Sequence, residues 1–172
     1  GKQGYAIAEK LSSLGAHTTL ISGPTKLPDP NVEKVVHVSS ADEMMFECDK
    51  ALPVNIAICA AAVADYKVAK KSDIKIKKKE ELIIKLEKNV DILNYVSNHN
   101  SMRPKLVIGF AAETNNLEEN AVKKLKNKNC DMIIANDVSN QNIGFYSDLN
   151  EVTIFYKNKK KEKLFKKNKS LI

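Results

Sequence analysis

Arginine is almost missing: of the 28 basic residues in this 172-residue chain, 27 are lysine and only Arg103 is arginine. Paired guanidinium donors are what read guanine edges in a DNA groove, so sequence-specific DNA recognition is not expected. Cysteine is scarce as well, and Cys48, Cys59 and Cys130 lie at separations that match no metal-ligand motif. An odd number of thiols in a chain of this size fits a reducing compartment better than a disulfide framework or a zinc site. No apolar run approaches the roughly 20 residues that cross a bilayer, and no charged-then-apolar leader opens the chain. The expectation is a soluble, cytoplasmic protein with no membrane partner. His17, His37 and His99 are far apart and form no metal or Ser/His/Asp pattern.

The net charge of +7 suggests a polyanion partner until its position is examined. Residues 157–169 (KNKKKEKLFKKNK) hold eight lysines and one glutamate, which accounts for all of it and leaves residues 1–156 neutral. A solvated Lys-rich tail over 157–172 is expected behind a single domain over 1–156, a size that one hydrophobic core serves. No nucleic-acid partner is expected.

Along that domain the periodicity alternates between helix and strand. Ile7, Ala8, Leu11 and Leu14 recur at helical spacing, and Gly15 stands where a left-handed cap belongs. HTTLIS (17–22) and KVVHV (34–38) read as strands around a loop with Pro28 and Pro30. Ser40 and Glu43 have capping-box spacing at the head of a helix that ends near Pro53. VNIAICAAA (54–62) is almost wholly apolar, as a central strand buried on both faces would be. A charged loop, 67–79, leads to ELIIKL (81–86), which alternates like an exposed edge or hairpin. A short helix with Ile92, Leu93 and Val96 follows, then KLVIGFAAE (105–113), a helix over 116–128, DMIIAN (131–136) and an antiparallel finish at EVTIFY (151–156). The predicted class is α/β, a doubly wound and mostly parallel sheet.

Ligands in such sheets bind beyond the carboxyl ends of the strands. Three loops occupy that position: CAAAVADY (59–66), GFAAETNN (109–116) and ANDVS (135–139). Alanines at a strand exit let a planar base or a phosphate approach the backbone, although they equally permit tight helix–sheet packing. Asp65 could hold a ribose hydroxyl or a metal-bound phosphate, or it could cap a helix. Lys75 and Lys77 alternate onto one side of an extended segment, suited to clamping a polyphosphate or to facing solvent. Lys124 and Lys128 lie four apart on one helix face behind GFAAE. The opening GKQG matches neither GxGxxG nor a complete P-loop.

Taken in order, GKQGYAIAEKL, SGPTKLP, CAAAVADY, KIKK, GFAAET, KLKNK and ANDVS resemble the phosphopantothenoylcysteine synthetase domain of bacterial bifunctional coenzyme A biosynthesis proteins, over Gly1 to about Val152. The resemblance implies a Rossmann-like fold with a small dimerisation hairpin. It implies a ligase that joins 4'-phosphopantothenate to cysteine with CTP and Mg²⁺ through an acyl-cytidylate. It further implies that Cys59, Ala60 and Ala61 shape the cytosine pocket, that Asp65 faces the nucleotide, and that Lys75 reaches the triphosphate as the catalytic lysine. Phe110, Ala111, Ala112 and Glu113 become the opposite wall, with Lys124 and Lys128 near the nucleotide. The family's Gly-rich first strand and an Asn that contacts the acyl-nucleotide would lie before Gly1, and the Pro of its KNPD motif is Val90 here. The alternative is a nucleotide-binding module without chemistry.

Overall fold

The computed structural model describes residues 1–70, 72, 74–77, 82–137 and 149–168. Helix α1 (Lys2–Ser13) stops where expected. Gly15 takes a φ of +89°, and the Gly15 and Ala16 N–H groups donate to the Ser12 and Leu11 carbonyls at 2.9 and 3.1 Å. Only glycine adopts that conformation without a Cβ clash, so the helix is closed by its own carbonyls. Strands β1 (Thr19–Ser22) and β2 (Lys34–His37) pair in parallel on either side of the Pro-rich loop. Helix α2 (Ala41–Ala51) begins with the Glu43 N–H donating to Ser40 Oγ at 3.2 Å. The reciprocal bond is shifted by one residue: Ser39, not Ser40, donates its N–H to the Glu43 carboxylate at 2.8 Å.

The remaining elements are β3 (Ile56–Cys59), β4 (Tyr66–Val68), β5 (Leu86–Lys88), α3 (Ile92–Ser97), β6 (Leu106–Glu113), α4 (Leu117–Asn127), β7 (Met132–Asp137), β8 (Leu149–Tyr156) and β9 (Lys161–Asn168). A five-stranded sheet runs β3-β6-β7-β8-β9. β3, β6 and β7 are parallel, while β8 and β9 are antiparallel, so the sheet is mixed rather than mostly parallel. The antiparallel finish at EVTIFY is present.

Three expectations are corrected. β3 is not a central strand: it lies at the end of the hydrogen-bonded order among the described residues, and Ile56 is 47% exposed. Its apolar composition reported the β6 neighbour on one side; among the described residues no strand pairs with it on the other. The Lys-rich stretch is not a tail beyond the sheet either, because Lys161–Asn168 pairs with β8 across the boundary drawn at residue 156. Its exposed lysines suit an outermost strand, where charge discourages edge-to-edge association. Finally, the hairpin pairs Tyr66–Val68 with Leu86–Lys88, so in ELIIKL only Leu86 is in a strand; Leu82–Lys85 run outside it, and residue 81 lies outside the described residues.

The faces of the sheet are covered differently. Val107, Gly109 and Ala111 of β6 share a side with Ile133 and Ala135 of β7, and there α3 and α4 bury one apolar cluster around Ala121, Leu125 and Cys130 and a second around Ile92, Val96 and Met44. Burying each large aliphatic side chain such as Ile133 or Val107 stabilises the fold by about 1.5–3 kcal/mol. Gly109 allows α3 to approach: a Cβ there would stand 2.7 Å from Leu93 Cδ2 and 2.8 Å from Ile133 Cδ1. On the other side, α1 reaches the sheet through Gly4, where a Cβ would meet Ala60 Cβ at 3.4 Å, and through Gln3, which accepts from Asn136 Nδ2 at 3.4 Å.

Candidate functional site at the carboxyl ends of the strands

Register fixes the two walls that the alanine-bearing loops were expected to form. Cys59 lies opposite Gly109 on the parallel neighbour, so Ala60 and Ala61 leave β3 beside Phe110 and Ala111 of β6. Ala61, Ala62 and Ala112 are exposed, Cys59, Ala60 and Phe110 are half-buried, and Ala111 is buried in the cluster beneath α4. The carboxyl end of β3 is held by Asn89, which follows β5: its N–H donates to the Asp65 carbonyl at 2.8 Å and its Nδ2 to the Ala64 carbonyl at 2.7 Å. That bond pair positions Asp65, whose exposed carboxylate makes no ion pair among the described residues. Lys67 ties the hairpin to α2 through both oxygens of Asp42 at 2.8 Å. The hydrogen bond to Asp42 is the largest cause that raises the Lys67 pKa.

On the opposite wall, Glu113 does not face open solvent. Its carboxylate accepts from Asn120 Nδ2 at 2.8 Å, which joins the end of β6 to the first turns of α4. Lys124 reaches back one turn further and donates to the Phe110 carbonyl at 2.7 Å. Lys128, the C-cap residue of α4, pairs with the Asp91 carboxylate. Asp91 is also the N-cap of α3, where its Oδ1 accepts from the Asn94 N–H at 2.8 Å. Burial alone would raise the Asp91 pKa; the Lys128 hydrogen bond, the Asn94 N–H and the charges of both lysines outweigh it and hold the carboxyl below its ordinary value.

Cys59 closes this cluster. Burial pushes its thiol up to about 12, with Cys48, Cys130 and Asp91 adding to the effect and Lys124 opposing it. Burial likewise raises Cys48 and Cys130 to about 11. A thiol held that high stays protonated at neutral pH and is a poor nucleophile.

The structure therefore brings together Cys59, Ala60, Phe110, Lys124 and Lys128, with Glu113 at the far end of the same strand. Lys75 is not among them: it is exposed in the 74–77 segment, and among the described residues no hydrogen bond or ion pair ties it to another element. Of the ANDVS loop, Ala135 and Asn136 are described, and residues 138–139 lie outside the described residues. Asn136 Oδ1 and Asn89 Oδ1 are buried with no hydrogen-bond partner among the described residues. Asp91, Asn89 and Asn136 were not singled out by sequence. Asp91 carried a signal, since it stands immediately before a helical period, but its pairing with Lys128 is a tertiary fact. Among the described residues no group of three or more His, Cys, Asp or Glu side chains could cage a metal ion.

A parallel β3–β6–β7 core whose small-residue exits share one edge, with Lys124 bonded beside them, defines an α/β domain in which that edge is the candidate binding site. The comparisons with known proteins say which one. A family model described as the DNA/pantothenate metabolism flavoprotein C-terminal domain matches residues 1–172, and the chain belongs to that family. It is 45% identical over 160 residues to the coenzyme A biosynthesis bifunctional protein CoaBC of Haemophilus influenzae, covering 92% of this chain and 40% of that protein. It is 46% identical over 161 residues to the protein of the same name from Escherichia coli K12, covering 91% of this chain and 39% of the relative. The chain thus spans about two-fifths of the length of these relatives. A crystal structure of the C-terminal domain of CoaBC superposes with a TM-score of 0.81 at 38% identity, covering 99% of this chain and 76% of the solved one.

Proposed function

We propose that this chain carries the ligase half of coenzyme A biosynthesis: it joins 4'-phosphopantothenate to cysteine using CTP, in the cytoplasm, as a homodimer. The reading is supported by the relatives named above and by one observation in particular, the placement of Cys59–Ala61 and Phe110–Glu113 on adjacent parallel strands with Lys124 bonded to the wall between them.

In this reading the phosphopantothenate carboxylate attacks the α-phosphorus of CTP, the α–β phosphoanhydride bond breaks, and pyrophosphate leaves. The cysteine amine then attacks the acyl carbon, loses a proton, and CMP departs as the amide forms. No protein nucleophile is needed, which agrees with a protonated Cys59. The protein aligns reactants and balances charge. The backbone of Cys59, Ala60 and Ala61 lines the cytosine, Asp65 faces the ribose side, and Phe110 to Glu113 close the opposite wall. Lys124 and Lys128 add positive charge behind the nucleotide, and Lys75 comes in from the arm to meet the triphosphate. Mg²⁺ belongs to the substrate as the CTP complex: a magnesium ion keeps most of its water and asks few protein ligands, consistent with no acidic cage among the described residues.

The dimer is supported by the hairpin arm, where Ile74, Leu82, Ile83, Ile84 and Leu86 are exposed, Ile83 by 82%. Apolar residues so concentrated mark an association surface. Sedimentation at micromolar concentration is expected to show a dimer, and monomer alone would contradict this part of the reading. The ligase chemistry is tested in a single turnover of the gene product that carries this chain. With CTP and phosphopantothenate but no cysteine, one equivalent of pyrophosphate is expected, and cysteine then releases CMP. CTP binding without pyrophosphate would favour the alternative, a nucleotide-binding module without chemistry.

A further inference from the structure

Asp91 occupies a joint that the proposed reaction does not use. One oxygen of its carboxylate caps α3 through the Asn94 N–H at 2.8 Å, and the other holds Lys128 at the C-terminal end of α4. Lys124, one turn earlier on the same helix, is fixed by the Phe110 carbonyl at 2.7 Å. Lys124 is thereby restrained at the β6 wall near Cys59, and Lys128 at the N-cap of α3. Lys128 retains N–H groups that Asp91 does not consume, since an ammonium has three donors.

Resting on the ligase reading above, we infer that Asp91 is a positioning residue for the nucleotide: through the α3 N-cap it holds the Lys128 ammonium at the β3–β6 wall, so that a CTP molecule meets a preorganised cation. A free lysine side chain carries substantial rotamer entropy, part of which binding would otherwise have to remove. The depressed pKa of Asp91 is in keeping with this role, because the carboxylate stays ionised throughout the neutral range. Asp91 bridges α3, which packs on β3 and β6, and α4, which packs on β6 and β7, so it sets the cation relative to both walls at once.

The test separates this role from helix capping. Asparagine caps a helix as well as aspartate does, so Asp91→Asn keeps the cap and removes the ion pair. Calorimetric titration with Mg²⁺-CTP, on the gene product that carries this chain, is expected to show about tenfold weaker binding, the size of one charge-assisted contact. The thermal midpoint should stay within about 2 °C of the unmutated protein. Lys128→Met is expected to weaken binding by a similar factor, and the double variant to be no weaker than Lys128→Met alone, because both changes remove one linked contact. If Asp91→Asn binds CTP as well as or better than the unmutated protein, or if the two losses multiply, the inference is overturned while the ligase reading stands. If the unmutated protein binds no CTP, both fall.

Discussion

The two ends of the parallel core use the same kinds of side chain to opposite effect. At the amino ends of β6 and β7, Arg103 donates from Nε to the Ser97 carbonyl at 2.8 Å, from Nη1 to the Pro104 carbonyl at 2.9 Å, and from Nη2 to the Asn129 carbonyl and Asp131 Oδ2, both at 3.0 Å. Asp131 Oδ2 also accepts from the Val107 N–H at 2.8 Å, and the one Ser97 hydroxyl proton is shared between the Leu93 and Lys128 carbonyls. Every one of these bonds joins chain to chain. At the carboxyl ends the carboxylate of Asp65 is exposed, two buried amide oxygens have no partner among the described residues, and the backbone is bare alanine. The single arginine is thus a structural fastener. A guanidinium fork making four bonds closes one end of the sheet, whereas at the other Lys124 makes a single bond, to the Phe110 carbonyl.

Breaking the closed end should have the largest effect. The Arg103–Asp131 pair is only about a quarter exposed, and removing one partner of such a pair leaves a stranded charge. Arg103→Met is expected to lower stability by about 3 kcal/mol in a denaturant titration, with CTP affinity unchanged in the fraction that remains folded at low temperature. Loss of CTP affinity without loss of stability would invert the comparison.

Cutting at the open end should do the reverse. Lys75 belongs to no core, so Lys75→Ala should leave the unfolding midpoint in place while slowing cytidylate formation by roughly a hundredfold, about 2.7 kcal/mol of barrier. Lys70→Ala, on the same exposed arm, is the control for generic charge. Equal losses in both variants would make the arm a solvated loop.

Between the two ends, Gly109→Ala forces a methyl group into Leu93 and Ile133. Both contacted atoms are ends of flexible side chains, so the expected cost is about 1–2 kcal/mol of overpacking rather than unfolding. The smallest effect concerns the thiols. With Cys59 at about 12 and Cys48 and Cys130 at about 11, the native protein at pH 8 is expected to resist a thiol-specific reagent that labels all three cysteines once the chain is unfolded. Rapid modification of Cys59 in the native state would mean that the β3 exit is more open than described.

How far the sequence revealed this arrangement depended on the range of the interaction that settles each element. β6 and β7 were legible as unbroken apolar runs, α4 as a helical period, and the α1 and α2 boundaries through Gly15 and Ser40, because each is decided within a few residues. The edge position of β3 was not, since its own apolar residues say nothing about what pairs on its outer side. β9 was hidden because KEKLFKKN, with four lysines in eight residues, gives no apolar alternation. The alternation of ELIIKL misled because strand pairing here follows Tyr66–Val68, far away in the chain, rather than local pattern. In the site, the alanine exits and Lys124 were legible as motifs, whereas the roles of Asp91 and Asn89 depend on contacts with Lys128 and Ala64, which only folding brings near.

The measurement that bears most directly on the contrast between the two ends is amide hydrogen exchange with and without Mg²⁺-CTP. Added protection is expected in peptides covering 59–65, 74–77 and 110–113, with none at 97–104 or 129–131, where Arg103 already closes the sheet. Protection centred on the Arg103 end, or no protection anywhere at saturating CTP, would contradict a nucleotide site at the carboxyl ends of β3 and β6.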